Sequence, residues 1–224
     1  MKKATIYHFT NESKINPRIY SLQIEKIRDF AASLGFEVDE VFCDMSIRKC
    51  DRYNFERLMK RAEDFDAIFI KDFYHLAKNT GACVKILKDL KNRGVSVYSF
   101  ENGSFSWDEP PFDKNLRVAT YICHHTDSEK MNSAFELENE ILAFYVKKKT
   151  LWTIQDQFFD ISELQKEGEQ IQLQNLLRNK DKYDLILVQN LSSIAGRTSK
   201  FCRIREKLSL DMYSLDEGYF KYGG

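Results

Sequence analysis

The sequence predicts an α/β fold formed twice, as two tandem domains that each hold a mostly parallel sheet flanked by helices. The first observation is a repeat: DAIFIKDFYHLAKNTGACVKILKDLKNRGVSVYSFENGSF, residues 66–105, returns in degenerate form as DLILVQNLSSIAGRTSKFCRIREKLSLDMYSLDEGYF, residues 184–220. The second is a set of upstream anchors in the same order, because Tyr7 matches Tyr121 and Asp44 matches Asp160. Short apolar runs alternate with helical patterns in both halves, which is typical of βαβ crossovers.

The composition limits the number of domains and the kinds of partner that the protein can have. A chain of 224 residues divides into two domains of ordinary size, each long enough to bury its own core. The 34 Lys and Arg residues balance the 34 Asp and Glu residues, so no global field draws the protein to nucleic acid or to an anionic membrane. The five cysteines show no CxxC spacing, and we find neither a signal peptide nor a membrane-spanning apolar run, so we predict a soluble cytoplasmic protein.

The first copy begins with a strand and a helix. We predict a strand at residues 4–7 and a polar loop over residues 8–17. The helix that follows is expected to be capped by Ser21 and stopped by Gly35.

The rest of the first copy repeats this alternation. Apolar runs and helical spacings predict, in order, a strand at Val38–Phe42, a charged loop at Asp44–Asn54, a helix over 55–62, a buried strand at Ala67–Ile70, a helix ending near Gly94 and a strand at Val95–Phe100. The copy therefore spans residues 1–105.

Residues 106–116 contain paired prolines and no periodicity, so we predict a linker there and a second copy over residues 117–224. The second copy repeats the order with strands at Val118–Cys123, Leu151–Ile154, Leu185–Val188 and Met212–Leu215. Its first helix is marked by Leu137, Ile141, Phe144 and Tyr145. The eight residues from Glu217 onward are too short for another domain.

This order resembles the catalytic domain of the serine recombinases, the resolvase and invertase family. The resemblance rests on a Tyr in the first strand, Asp44 before a charged loop, Arg52 before the second helix, and LeuAlaLysAsnThr after the third strand. It covers most of both copies and is closer in the first. It implies a nucleophilic serine just past the first strand, an arginine two residues earlier, and an Asp-Arg-Leu-Gly-Arg cluster that grips the scissile phosphate.

The first copy departs from that pattern at the reacting positions. Asn11 stands at the serine position and Phe9 at its arginine partner, while the phosphate-binding cluster reads Tyr74, His75, Leu76, Ala77 and Lys78. Arg52 is kept, but Lys78 lacks the bidentate geometry of arginine. Phosphoryl transfer to a hydroxyl needs a nucleophile and fixed cations, so the resemblance implies a catalytically inactive copy.

The second copy departs further. His125 stands at the serine position, Cys123 at the arginine position, Gln170 at the place of Arg52, and Ser192 to Gly196 at the cluster. Displaced nucleophiles at Thr10, Ser13 or Ser128 remain an alternative, as does a rebuilt site in which Cys123 and His125 form a dyad or half of a metal site. We expect neither, and we expect no metal and no cofactor.

The sequence therefore predicts a degenerate serine-recombinase-like protein that acts as a protein-binding or regulatory module, linked to DNA recombination or mobile elements. Its expected partner is another protein or a second copy of itself. We expect no binding to a membrane. The alternative is an accessory DNA-binding protein that grips phosphates through Arg48, Arg52 and Lys78.

Overall fold

The computed structural model describes residues 2–10, 16–45, 52–106, 110, 114–124, 131–161 and 170–222, with no side-chain description for residues 131 and 132. The chain divides into two units, Met1–Phe105 and Ser106–Gly224. None of the helices in the described part of the chain combines the length and the apolar composition that a membrane span requires.

The first unit is a mixed sheet with three helices. Its strands are β1 Lys2–Thr10, β2 Phe36–Met45, β3 Ala67–Ile70, β4 Ser96–Ser99 and β5 Gly103–Ser106. Its helices are α1 Pro17–Ser33, α2 Tyr53–Lys60 and α3 Thr80–Asn92, with short 3-10 turns at Ala62–Asp64 and Phe73–His75. The strand order is β2-β1-β3-β4-β5, in which only β4 and β5 pair antiparallel.

The second unit has the same sequence of elements. Its strands are β6 Leu116–His124, β7 Trp152–Ile161, β8 Leu185–Val188, β9 Asp211–Ser214 and β10 Gly218–Lys221. Its helices are α4 Met131–Lys147, α5 Ile171–Arg178 and α6 Thr198–Leu208, with 3-10 turns at Lys180–Lys182 and Leu191–Ser193. The order is β7-β6-β8-β9-β10, with only β9 and β10 antiparallel.

A shared irregularity marks the pair formed by the first two strands of each unit. The register between β1 and β2 shifts at Ala4/Thr5, and the register between β6 and β7 shifts at Val118/Ala119. A bulge in a strand pair is a specific backbone feature that changes the twist and the direction of the side chains beyond it. Its presence at corresponding places gives the two units the same strand geometry leading up to their carboxyl ends.

Each sheet packs one face against its first helix. In the first unit, α1 buries Ile24, Ile27 and Ala31 against β1 and β3. In the second, α4 buries Leu142 and Val146 against β6, β8 and β9. β3 and β8 are buried throughout, as expected for strands covered on both faces of a parallel sheet.

Several boundaries differ from those that the sequence predicts. β1 extends through His8, Phe9 and Thr10, and α1 begins at Pro17 with Asn16 as its cap, five residues before the predicted cap Ser21. The Asn16 side chain accepts a hydrogen bond from the Arg18 amide, and a proline at the first helical position has its φ already suited to a helix. These two residues give a stronger start signal than Ser21.

The predicted charged loop at Asp44–Asn54 and the carboxyl-terminal tail also need correction. Asp44 and Met45 lie in β2, whereas Tyr53 and Asn54 lie in α2. The tail from Glu217 contains β10, which completes a hairpin with β9. By contrast, Gly35 and Gly94 lie at φ +81° and +76° just past α1 and α3, so the predicted glycine stops are confirmed.

Candidate functional site

The candidate site of the first unit lies where β1 and β2 end and α2 begins. Parallel strands present their carboxyl ends at one edge, and ligand sites in open α/β sheets form at this edge. Four predicted positions, Phe9, Arg52, Tyr74 and His75, meet there. Asp44 and Tyr7 join them.

Asp44 fixes the start of α2. Its Oδ1 accepts the amide hydrogen of Asn54 at 2.9 Å and its Oδ2 accepts that of Phe55 at 2.8 Å. The first amides of a helix have no partner within the helix, and a carboxylate there also interacts favourably with the helix dipole. Asp44 therefore holds the residue just before the helix, Arg52, in place.

Tyr7 links this carboxylate to Arg52. The Tyr7 hydroxyl donates to Asp44 Oδ2 at 3.1 Å and accepts from Nε and Nη2 of Arg52 at 3.2 and 3.0 Å. Tyr7 is fully buried, and this burial raises the pKa of its phenol well above the usual value. The residue is thus a neutral relay within the network.

Arg52 directs its guanidinium into the protein. Besides its bonds to Tyr7, Nη1 donates to the backbone carbonyl of Leu76 and Nη2 to that of His75. The charged group also lies 4.0 Å from the ring centre of Phe55. These contacts close the turn after β3 onto the start of α2, so Arg52 works as an internal brace.

Aromatic side chains occupy places where the resemblance implies charge. The Phe9 ring centre is 5.4 Å from the Arg52 guanidinium carbon and 6.4 Å from the Tyr74 ring centre. A cation over an aromatic face is stabilised by the ring quadrupole. Phe9 therefore supplies a surface for Arg52 and no charge for a phosphate.

His75 is buried and neutral. Burial is the largest cause that lowers its pKa to about 3, with His8 and Lys71 adding to the effect. Its Nδ1 accepts the amide hydrogen of Asp72 at 3.3 Å, which requires the neutral ring. At neutral pH, this position in the cluster therefore carries no positive charge.

The remaining predicted residues are separated from this network or lie outside the described part of the chain. Lys78 is exposed, beyond the turn that Arg52 braces. Asn11, Ser13, Arg48, His125 and Ser128 lie outside the described residues, so their places in the site stay predictions.

A cleft of about 280 Å³ opens beside the network, between the end of β1, the start of α1 and the turn after β3. Sequence reasoning did not assign His8 and Asp72, which line it. His8 Nε2 lies 3.0 Å from Gln23 Oε1, so this nitrogen carries the proton and burial keeps the ring pKa below its usual value. Burial raises the pKa of Asp72.

The second unit repeats the network with an amide in place of the guanidinium. Tyr121 donates to Asp160 Oδ2 at 3.0 Å, and Asp160 accepts the amides of Gln172 and Leu173 at the start of α5. Gln170 Nε2 donates to the Tyr121 hydroxyl at 3.1 Å and reaches the carbonyls of Ser193 and Ile194 at 3.5 Å. Like Arg52, Gln170 thus faces one tyrosine hydroxyl and two backbone carbonyls.

A lysine that sequence reasoning missed completes this second network. Lys200, on α6, donates from Nζ to Gln170 Oε1 at 2.8 Å. In the repeat alignment, Ala82 of α3 stands at the corresponding place. The signal lay in that alignment, because the unit with glutamine in place of arginine has a lysine on the neighbouring helix.

Cys123 faces this network, and His124 faces away from it. The Cys123 sulfur lies 3.7 Å from Gln170 Nε2, and burial raises the pKa of its thiol, which disfavours the reactive thiolate. His124 Nε2 lies 3.0 Å from Glu138 Oε2, within the range of an ion pair. Across the described residues, no three His, Cys, Asp or Glu side chains group as a metal site.

Comparisons with known proteins place these features in context. The family model described as Resolvase, N terminal domain matches residues 13–133. The chain is similar to a solved resolvase family site-specific recombinase from Streptococcus pneumoniae at 18% identity and TM-score 0.42, over 67% of this chain and 93% of that one. It is also similar to the catalytic domain of TP901-1 integrase at 16% identity and TM-score 0.39, over 66% and 98% of the two chains. No curated protein matches.

Proposed function

Because the chain belongs to the resolvase family, we propose that it is a recombination-related protein that has lost strand transfer and acts by binding another protein. The observation that carries the proposal is the inward direction of Arg52. Its donors go to Tyr7 and to the carbonyls of His75 and Leu76, so the retained cation of the pattern is committed to holding the fold.

The neighbouring positions support the same conclusion. A phosphoryl-transfer site stabilises developing charge with preorganised cations and donors. Phe9 contributes a ring, and His75 contributes a neutral imidazole whose pKa is lowered to about 3. Asn11 carries an amide, which cannot serve as the nucleophile.

We also propose that the two units arose by duplication of one resolvase-like domain, with a linker between Ser106, the last residue of β5, and Leu116, the first residue of β6. Support comes from the matching element order, the matching register shifts and the Tyr-Asp pair at the same place in each unit. Under this proposal Gln170 replaced the arginine and kept its hydrogen-bond acceptors, which favours a structural role for this position in both units.

A second candidate function is DNA binding as an accessory protein, through Arg48, Arg52 and Lys78. The exposure of Lys78 favours it, because an exposed ammonium at the edge of the site is free to approach a phosphate. The inward bonding of Arg52 weighs against it.

The test of the proposed function is a covalent-trapping assay paired with partner capture. The full chain is incubated with supercoiled plasmid carrying the DNA that flanks its gene, and denaturing gels detect protein joined to DNA. We expect no adduct, together with a protein partner that copurifies from the native cell at constant stoichiometry. An adduct mapped to Ser13 or Ser128 would refute the loss of chemistry, and a chain that copurifies with DNA alone would support the second candidate.

A further inference from the structure

The outer face of α4 carries an apolar stripe. Leu137, Ile141 and Phe144 are 59, 41 and 60% exposed, and their spacing of four and three residues places them on one side of the helix. The helix faces its own sheet with Leu142 and Val146, which are 0 and 4% exposed. The stripe is therefore separate from the core of the unit.

The corresponding helix of the first unit shows that the fold does not require this stripe. α1 and α4 are both 17 residues long. When the buried residues Ile27 and Ala31 of α1 are aligned with Leu142 and Val146, the three stripe positions correspond to Leu22, Lys26 and Asp29, all exposed. Two of these three positions are charged in the first unit. Apolar residues on the outside of α4 thus need an explanation beyond folding, and a binding surface provides one.

Charges beside the stripe divide along the helix. Glu136 and Glu140 are exposed in its amino-terminal half, whereas Lys147 and Lys148 are exposed at its carboxyl-terminal end. At 3.6 residues per turn, Glu136, Glu140 and Lys147 lie along the same edge of the stripe. The ammonium of Lys148 is 4.3 Å from the ring centre of Phe144. The aliphatic part of the Lys148 side chain therefore extends the apolar stripe.

This pattern is complementary to itself in one orientation. If two such helices pack antiparallel about a two-fold axis near Ile141, each stripe covers the other, with Leu137 of one molecule against Phe144 of the next. A rise of about 1.5 Å per residue then brings Glu136 of one molecule within about 3 Å, measured along the axis, of Lys147 in the other. Parallel packing would leave Glu136 of one molecule about 16 Å, measured along the axis, from Lys147 in the other, which is too far for the two charges to pair.

We propose that α4 is a self-association surface whose partner is a second copy of this chain, packed antiparallel along Leu137, Ile141 and Phe144. The isologous contact has the closed two-fold symmetry that is commonest among homo-oligomers. This proposal rests on the proposed function in one respect, since it names the protein that the second unit binds.

The experiment is sedimentation velocity on the full chain over about 1 to 100 µM, a range suited to the weak dimer that a single helix pair supports. We expect a monomer–dimer equilibrium. Ile141→Glu should weaken it by at least about 100-fold, because two carboxylates would meet at the axis in an apolar setting. The matched control is Leu22→Glu on α1, which should leave the equilibrium unchanged.

A charge reversal tests the antiparallel orientation. Glu136→Lys and Lys147→Glu should each weaken dimerisation by about 3- to 10-fold, as expected for exposed ion pairs, and the double variant should restore it. Circular dichroism spectra confirm that each variant is folded. A chain that stays monomeric throughout, or a dimer insensitive to Ile141→Glu, would overturn the surface, and a double variant that is no better than the singles would overturn the orientation.

Failure of the α4 proposal can be distinguished from failure of the proposed function. If the chain is monomeric but copurifies with a different protein, self-association through α4 is refuted and the proposed function still holds. If the chain dimerises and also forms covalent adducts with DNA, the proposed function is refuted and self-association through α4 still holds.

Discussion

The hydroxyl of Tyr7 donates a hydrogen bond of 3.1 Å to Oδ2 of Asp44, while the same carboxylate accepts the amides of Asn54 and Phe55. The Asp44 side chain, on the edge strand β2, thereby connects β1, β2 and the start of α2. Because the bond recurs between Tyr121 and Asp160 at 3.0 Å, it is a common structural element of the two units.

Replacing Asp44 should strongly destabilise the first unit. Asp44→Ala removes the acceptor of three donors, of which the Tyr7 hydroxyl and the Phe55 amide are buried, and charge-assisted bonds of this kind predict a loss of about 2–4 kcal/mol in the free energy of unfolding. Urea denaturation followed by circular dichroism measures the change. Asp39→Ala is the control on the same strand, because its exposed ion pair with Lys3 should contribute less than about 0.5 kcal/mol. Equal losses in the two variants would contradict the role of Asp44.

Exchanging residues between the units tests whether Arg52 is structural. Gln170 reaches the Tyr121 hydroxyl and the carbonyls of Ser193 and Ile194, so Arg52→Gln should keep part of the brace. We expect Arg52→Gln to lose about 1 kcal/mol of stability and Arg52→Leu about 2–3 kcal/mol, because leucine leaves the carbonyls and Tyr7 without a donor. Urea denaturation ranks the two. Finding leucine equal to or better than glutamine would refute the brace.

The reverse exchange should fail unless Lys200 is also changed. Gln170→Arg places a guanidinium where Lys200 now donates to the amide oxygen, so two cations would meet in a partly buried site. We expect a loss of about 1–2 kcal/mol that Lys200→Ala largely relieves, since alanine is the residue at the corresponding place in the first unit. A double-mutant cycle in urea measures the coupling, and strict additivity would show that the two residues do not interact.

The sequence predicted the order of the main elements and several of the residues that meet at the site. Asp44, Arg52 and the segment from Tyr74 to Lys78 were identified from a pattern of residue types. The direction of Arg52 could not be predicted in this way, because two of its acceptors are backbone carbonyls, which every residue carries. The end of β1 was missed because His8 and Thr10 are polar, although β1 includes both.

Periodicity also left the orientation of α4 undetermined. Leu137, Ile141 and Phe144 fit an apolar helix face as well as Phe135, Leu142 and Val146 do, and both sets have helical spacing. Only the packing against β6 shows that the second set faces the core. When a helix has two apolar faces, the sequence pattern alone does not show which face packs in the core and which is a binding surface.

Acid should destabilise the first unit through His75. Its pKa is about 3 in the folded protein and near 6.5 when unfolded, so between these values the unfolded chain binds more protons. The stabilisation is therefore complete above pH 6.5 and is lost progressively as the pH falls toward 3. Asp72, whose pKa burial raises, acts in the opposite direction and offsets part of the loss.

Comparison with His75→Gln isolates this contribution. Between pH 7.5 and 4.5 we expect the wild-type protein to lose about 2–3 kcal/mol more than the variant, because roughly two pH units of this window lie between the folded and unfolded pKa values, at 1.36 kcal/mol per unit. Urea denaturation at the two pH values gives the difference, and the variant cancels the effect of other acidic groups. Parallel losses in the two proteins would mean that His75 is not a buried neutral group.

Autonomous DNA binding should be weak and should depend on Lys78 more than on Arg52. The formal net charge is +0, and affinity for duplex DNA rests largely on phosphate neutralisation, so we expect a dissociation constant no tighter than about 1 µM at moderate salt. Fluorescence anisotropy with a short duplex at low and moderate salt measures both the affinity and the salt slope.

Lys78→Ala should reduce the slope because this side chain is exposed. Arg52→Gln should leave the slope unchanged, because its guanidinium is bonded to Tyr7 and to two carbonyls. Submicromolar binding with a steep slope that flattens in both variants would show that Arg52 turns outward to grip phosphate, and the accessory DNA-binding function would then replace the protein-binding one.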